Sequence, residues 1–175
     1  MDNTFFTLVL NPAAAPRPDP GTGNPVDHHR LRIEALIEDL GRKKAKIVLP
    51  TPAIAEAMCI CGDFDKVLVK IEEYEVFEPC TFDTRSAIEL ARMTRVAVNG
   101  GDKRGGSLGD WQKIKIDRQI VAIAKVNGAS ILYTDDDSQT NFATHCGLKV
   151  VHTWDLDLPA SHAQIDWVKE REEAP

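Results

Sequence analysis

Four acidic features stand out by position: Asp2, Glu56, Asp117 and the run Asp135-Asp136-Asp137. If these carboxylates converge, they need a counter-ion, because several cannot all stay ionised within a few ångströms of one another. Hard oxygen donors select Mg²⁺ or Mn²⁺, and a magnesium site keeps open positions for water and substrate phosphate. Such an ion acidifies a bound water and stabilises the leaving oxygen in phosphodiester hydrolysis. Each acid also has a plainer role. Aspartate caps helix N-termini, which alone accounts for Asp117 and one residue of the triple run, and Glu56 can point to water. Three consecutive aspartates exceed what capping needs.

The elements that would position these residues follow from periodicity. Ile33, Leu36, Ile37 and Leu40 recur at helical spacing, with Gly41 as a stop. Ile47-Val48-Leu49 is a strand-type run, and Thr51 with Pro52 reads as a helix N-cap and first turn. Phe64–Glu73 is expected to be a helix, Tyr74–Phe77 a strand and Thr84–Arg95 a helix. Asp117 is expected to cap a helix ended by Asn127-Gly128. Then come a strand at Ile131–Tyr133, a short helix from Ser138 to Cys146 stopped by Gly147, and a last strand at Lys149–His152. Strands separated by helices call for a parallel sheet covered on both faces, an α/β three-layer α/β/α sandwich. Functional sites of such sheets lie at the carboxyl ends of the strands, which is where Glu56 and Asp135–Asp137 fall.

The remaining composition bounds the function. With 175 residues, 43% hydrophobic and 27% charged, the chain is sized for one globular domain, and no run nears the ~18 apolar residues of a membrane span. No secretory signal is visible at Met1-Asp2-Asn3-Thr4, so a cytoplasmic protein is expected. Cys59-x-Cys61 lacks zinc spacing, so the four cysteines are expected to be free thiols. None of the five histidines has a partner at ligand spacing. The net charge of −6 argues against broad nucleic-acid coating, yet Lys103 and Arg104 open a basic, Gly-rich stretch that can hold phosphate. Trp111 beside it can stack on a base or anchor the loop. A Pro-rich loop runs from Asn11 to Asp27. Residues 155–175 form an acidic C-terminal tail that carries Trp167, leaving 1–154 as the domain.

Four short motifs, in order, resemble those of the PIN domains, a family of small metal-dependent nucleases. Met1-Asp2-Asn3-Thr4 is similar to the family's opening motif, with Leu10-Asn11-Pro12 closing the first helix. Leu49-Pro50-Thr51-Pro52-Ala53-Ile54-Ala55-Glu56 resembles the second, Asp117-Arg118-Gln119-Ile120-Val121-Ala122-Ile123-Ala124 the third, and Ile131-Leu132-Tyr133-Thr134-Asp135-Asp136 the fourth. The resemblance implies a PIN-like nuclease domain with a short central parallel sheet. It further implies an endoribonuclease in which Asp2, Glu56, Asp117 and Asp136 are catalytic, holding Mg²⁺ or Mn²⁺. Asp135 is a further metal ligand or the alternative to Asp136. By the same resemblance Glu56 and Asp117 hold metal and position the attacking water, Asp2 and Asp136 complete the cage, and Thr4 and Thr134 give polar support. RNA is the implied substrate, and a toxin role with an antitoxin partner and a homodimer are implied as well.

A second reading is a catalytically degenerate module that binds RNA or protein. Its motivation is that only Met1 precedes Asp2, where the family has a strand. A phosphatase using an aspartate nucleophile is disfavoured, because no Asp-x-Asp-x-Thr arrangement follows a strand.

Overall fold

The computed structural model describes residues 1–11, 13–104, 107 and 109–159. His162, Trp167 and most of the acidic tail lie outside the described residues. Seven α-helices and four short strands are described. In chain order they are α1 (Asn3–Leu10), α2 (His29–Arg42), β1 (Ile47–Pro50), α3 (Thr51–Cys61), α4 (Phe64–Glu73), β2 (Phe77–Cys80), α5 (Thr84–Asn99), α6 (Trp111–Val126), β3 (Ile131–Tyr133), α7 (Asp137–His145) and β4 (Lys149–Val151). A 3₁₀ turn follows at Thr153–Asp155.

Both strand pairs are parallel: β1 with β2, Ile47 opposite Phe77, and β3 with β4, Ile131 opposite Lys149. Met1 and Asp2 join them. The Met1 amino group donates to the Val48 carbonyl at 3.1 Å, and the Asp2 amide donates to the Tyr133 carbonyl at 3.1 Å. The two residues therefore lie between β1 and β3. Across the sheet the order runs β2, β1, Met1-Asp2, β3, β4.

Side chains alternate across a strand, and this alternation divides the core in two. Ile47, Leu49 and Tyr133 face a cluster with Phe5, Phe6, Ile33, Ile37, Ala57 and Val67 of α1 to α4. Leu132 faces the other side, with Met93, Val121, Ala124 and Ala143 of α5, α6 and α7. Helices thus cover both faces, and the three-layer α/β/α arrangement is present. Phe5 and Phe6 are fully buried, each contributing about 2 kcal/mol of apolar transfer. The core reaches Leu156, which is buried and whose carbonyl accepts from Arg32. All four cysteines are free, and no described helix is long and apolar enough to cross a membrane.

Several boundaries differ from the periodicity reading: α5 runs on to Asn99, α7 spans Asp137–His145 and β4 ends at Val151. Asp117 is not a cap: α6 begins at Trp111, because Ile114 already packs inward one turn before Arg118. Thr51 is the first residue of α3 and Pro50 its N-cap. The second strand starts at Phe77, whose ring packs at 5.8 Å from Phe6, and Tyr74 instead caps α4. Pro79 is tolerated there because β2 pairs on one side only. Finally, α2 runs through Gly41 to Arg42.

Candidate active site

The acids are carried by four different elements. Asp2 caps α1, with Oδ1 accepting from the Phe5 amide at 2.9 Å. Its Oδ2 accepts from Thr4 Oγ1 at 2.7 Å and from Thr134 Oγ1 at 2.5 Å. Only 1% of Asp2 is exposed, and burial pushes its carboxyl from 3.8 up to about 6 against these hydrogen bonds. Asp136 caps α7, Oδ1 accepting from the Gln139 amide at 2.9 Å, and its own amide donates to Thr134 Oγ1 at 3.0 Å. The Thr134 hydroxyl at the end of β3 therefore ties two of the acids together.

Asp117 projects from the second turn of α6, and its Oδ2 accepts from Lys113 Nζ at 3.3 Å. The same ammonium donates to Asp136 Oδ2 at 2.8 Å. Two carboxylates on separate helices thus share one cation. Burial comes first in raising the Asp117 carboxyl above its ordinary range, with Asp136 adding to it and Lys113 opposing. For Asp136 burial also acts upward, but Lys113 and the Gln139 amide outweigh it and hold the group low. The difference follows from depth and distance. Asp117 is 14% exposed with the longer contact, Asp136 27% with the shorter. Burial lowers the Lys113 ammonium, and the two aspartates more than reverse that.

Glu56 lies on α3, half-buried, beside the buried Ala53, Ile54 and Ala57 face. Burial raises its carboxyl, and Asp117, Asp2 and Asp136 raise it further against Lys113. All four predicted acids therefore belong to one electrostatic neighbourhood.

Asp135 does not. Its Oδ1 accepts from the Thr153 amide at 2.8 Å and its Oδ2 from Thr153 Oγ1 at 2.7 Å, in the interior. It braces the 3₁₀ turn against the end of β3. Thr4 and Thr134 are both hydrogen-bonded to Asp2. In the Gly-rich stretch, Lys103 Nζ lies 5.1 Å over the Trp111 ring, while Arg104 donates to the Gly109 carbonyl at 3.3 Å and lines a small cavity with Asp117. Trp111 also faces the buried Arg118 guanidinium at 5.5 Å.

Two residues join the site from outside the motifs. Lys113 is signalled by its i, i+4 spacing to Asp117. Arg17 has no local signal. It stands in the Pro-rich loop and reaches the Asp135 carbonyl at 2.9 Å and Asp137 Oδ2 at 2.9 Å. The loop thereby walls a cleft of about 290 Å³ lined by Thr4, Thr7, Pro16, Arg17, Ile60 and Asp136.

Among the described residues no three His, Cys, Asp or Glu side chains are gathered into a ready metal site. The donor chemistry nonetheless fits a hard cation. Asp117 and Asp136 are hard oxygen donors, and both accept from the Lys113 ammonium.

No protein-family model matches the sequence, and no curated protein is significantly similar to it. Solved structures share its fold, among them two toxin–antitoxin complexes on DNA. VapBC2 from Rickettsia felis, bound to a DNA fragment from its promoter, superposes with a TM-score of 0.52 at 15% identity, over 73% of this chain and 89% of that one. FitAB bound to an IR36 DNA fragment superposes with a TM-score of 0.52 at 17% identity, over 89% and 95%. The chain has a PIN-like α/β/α fold.

Proposed function

We propose that this protein is a Mg²⁺- or Mn²⁺-dependent endoribonuclease. One observation carries the reading: Asp117 on α6 and Asp136 at the N-cap of α7 accept from a single ammonium, that of Lys113, at 3.3 and 2.8 Å. The half-buried Glu56 feels both of them. Asp117 and Asp136 would hold the ion, with Asp2 as a buried support whose orientation Thr4 and Thr134 fix. When bound, the ion neutralises developing charge on the phosphodiester and acidifies water. Glu56 positions the attacking water and accepts its proton, a role suited to a carboxyl raised above its ordinary range. Water adds to phosphorus, the P–O bond to the leaving nucleoside breaks, and the leaving oxygen is protonated from solvent.

The cleft beside Asp136 would take a small part of an RNA strand, with Arg17 exposed at its rim and Arg104 near Asp117 as phosphate contacts. A toxin role with an antitoxin partner belongs to the same reading. It is supported by the fold shared with VapBC2 and FitAB, and by Ile60, Phe64, Leu68 and Val69 lying exposed on the consecutive helices α3 and α4. A second copy of the chain is the other occupant that this surface suits.

The test is cleavage of a labelled single-stranded RNA by the purified chain in Mn²⁺, in EDTA, and after Mn²⁺ is restored. Cleavage that disappears and returns with the metal, and falls about 10²- to 10⁴-fold in Glu56→Gln, supports the reading. A folded protein that neither cleaves RNA nor binds Mn²⁺ refutes it and favours the degenerate RNA- or protein-binding module.

A further inference from the structure

The acid cluster comes with its own cation. Lys113 lies one helical turn before Asp117 on α6, and its ammonium reaches across to α7 to meet Asp136. Without it, Asp117, Asp136 and Glu56 would face one another with no positive charge between them, an arrangement that strongly disfavours ionisation. The ammonium donates to Oδ2 of both aspartates. A divalent ion coordinated by the same oxygens would need the same lone pairs and the same space. Two like charges drawn to the same pair of oxygens repel each other, so the two cations compete for them.

The lysine is built to leave. Its side chain is 50% exposed, so rotation about the four-carbon stem carries Nζ into solvent while α6 stays in place. The aspartates are held more firmly, Asp136 by the Gln139 amide and Asp117 by its depth.

We propose that Lys113 is a built-in counter-ion that the divalent cation must displace, so that it maintains the unloaded acid cluster and sets its metal affinity. The inference rests on the metal-dependent reading above. Only chains with the ammonium swung away are competent to bind. The apparent affinity is reduced by that competent fraction, and removing the competitor restores it. The same lysine keeps the unloaded site from opening under the repulsion of its acids.

Calorimetric titration of Mn²⁺ into the full chain tests this, comparing wild type with K113M and K113Q. Methionine keeps most of the stem without the charge, and glutamine keeps polarity in case K113M fails to fold. The expected result is Mn²⁺ binding tighter by about tenfold in the variants. Their melting temperature should be lower than wild type in EDTA, with a larger rise on adding Mn²⁺. Equal or weaker Mn²⁺ binding by folded variants, with wild type binding normally, overturns the proposal and leaves the metal reading standing. If neither wild type nor folded variants bind Mn²⁺, the metal reading itself fails and the proposal fails with it.

Discussion

Thr134 donates its hydroxyl to Asp2 Oδ2 at 2.5 Å, although 132 residues separate them in sequence. Thr134 Oγ1 also accepts from the Asp136 amide, so one side chain at the end of β3 orients the first acid and the last. Thr134→Val keeps the shape and removes both bonds. It should cost about 1–3 kcal/mol in urea unfolding, since a buried carboxylate and an amide each lose a partner. A loss below the error of the measurement would show that neither bond matters.

Asp117→Asn should stabilise the metal-free protein. The Asp117 carboxyl is raised, so its favourable contribution is present below its ordinary pKa and is lost as pH rises through the folded value. At neutral pH the wild type carries that deficit and the amide does not. In EDTA at pH 7 the variant should melt up to about 3 °C higher, and the gain should vanish near pH 4. A lower melting temperature at pH 7 would contradict the electrostatics described.

Asp2 sets a second pH dependence. Its pKa is raised from 3.8 to about 6, so the stability it contributes is complete below 3.8 and is lost as pH climbs through about 6. Urea midpoints measured in EDTA from pH 4 to 7 should fall for wild type relative to Asp2→Asn across that window. Parallel curves would show that Asp2 titrates alike in both states.

Asp135 and Asp136 are neighbours with opposite assignments. Asp135→Asn removes a charge that serves Thr153 and should destabilise by about 2 kcal/mol while leaving Mn²⁺ affinity within twofold. Asp136→Asn should weaken Mn²⁺ binding by tenfold or more. Calorimetry on both folded variants checks the contrast, and the reverse pattern would exchange their roles.

Arg17 supplies charge at the cleft rim. Arg17→Ala should raise the KM for RNA several-fold with kcat nearly unchanged, and should flatten the salt dependence of binding by about one phosphate contact. An unchanged KM would confine Arg17 to tethering its loop to Asp135 and Asp137.

Local signals carried much of this fold. The helix over Phe64–Glu73 is legible because its apolar spacing is local to it, and Ile131–Tyr133 is legible as a buried run between turns. Aspartate favours helix caps, which by local preference alone places Asp117 at a helix start. What overrode the preference was Ile114, whose burial extends α6 upstream and turns Asp117 toward the acids. The strand at Phe77–Cys80 starts late because the Phe77 ring belongs to a core whose other members are distant in sequence. The acids themselves were visible as types at strand and helix ends. Lys113 bridging two helices, Arg17 reaching from a Pro-rich loop and Asp135 turning to Thr153 depend on contacts that only the folded chain creates.

In the proposed function, Asp117 helps hold the ion that drives RNA cleavage. The most direct measurement is cleavage of a labelled single-stranded RNA by wild type and Asp117→Asn, in Mn²⁺ and in EDTA, with folding checked by circular dichroism. Wild type should cleave in Mn²⁺ alone, and the folded variant under neither condition. Cleavage by Asp117→Asn at the wild-type rate, or wild-type cleavage that persists in EDTA, would contradict it.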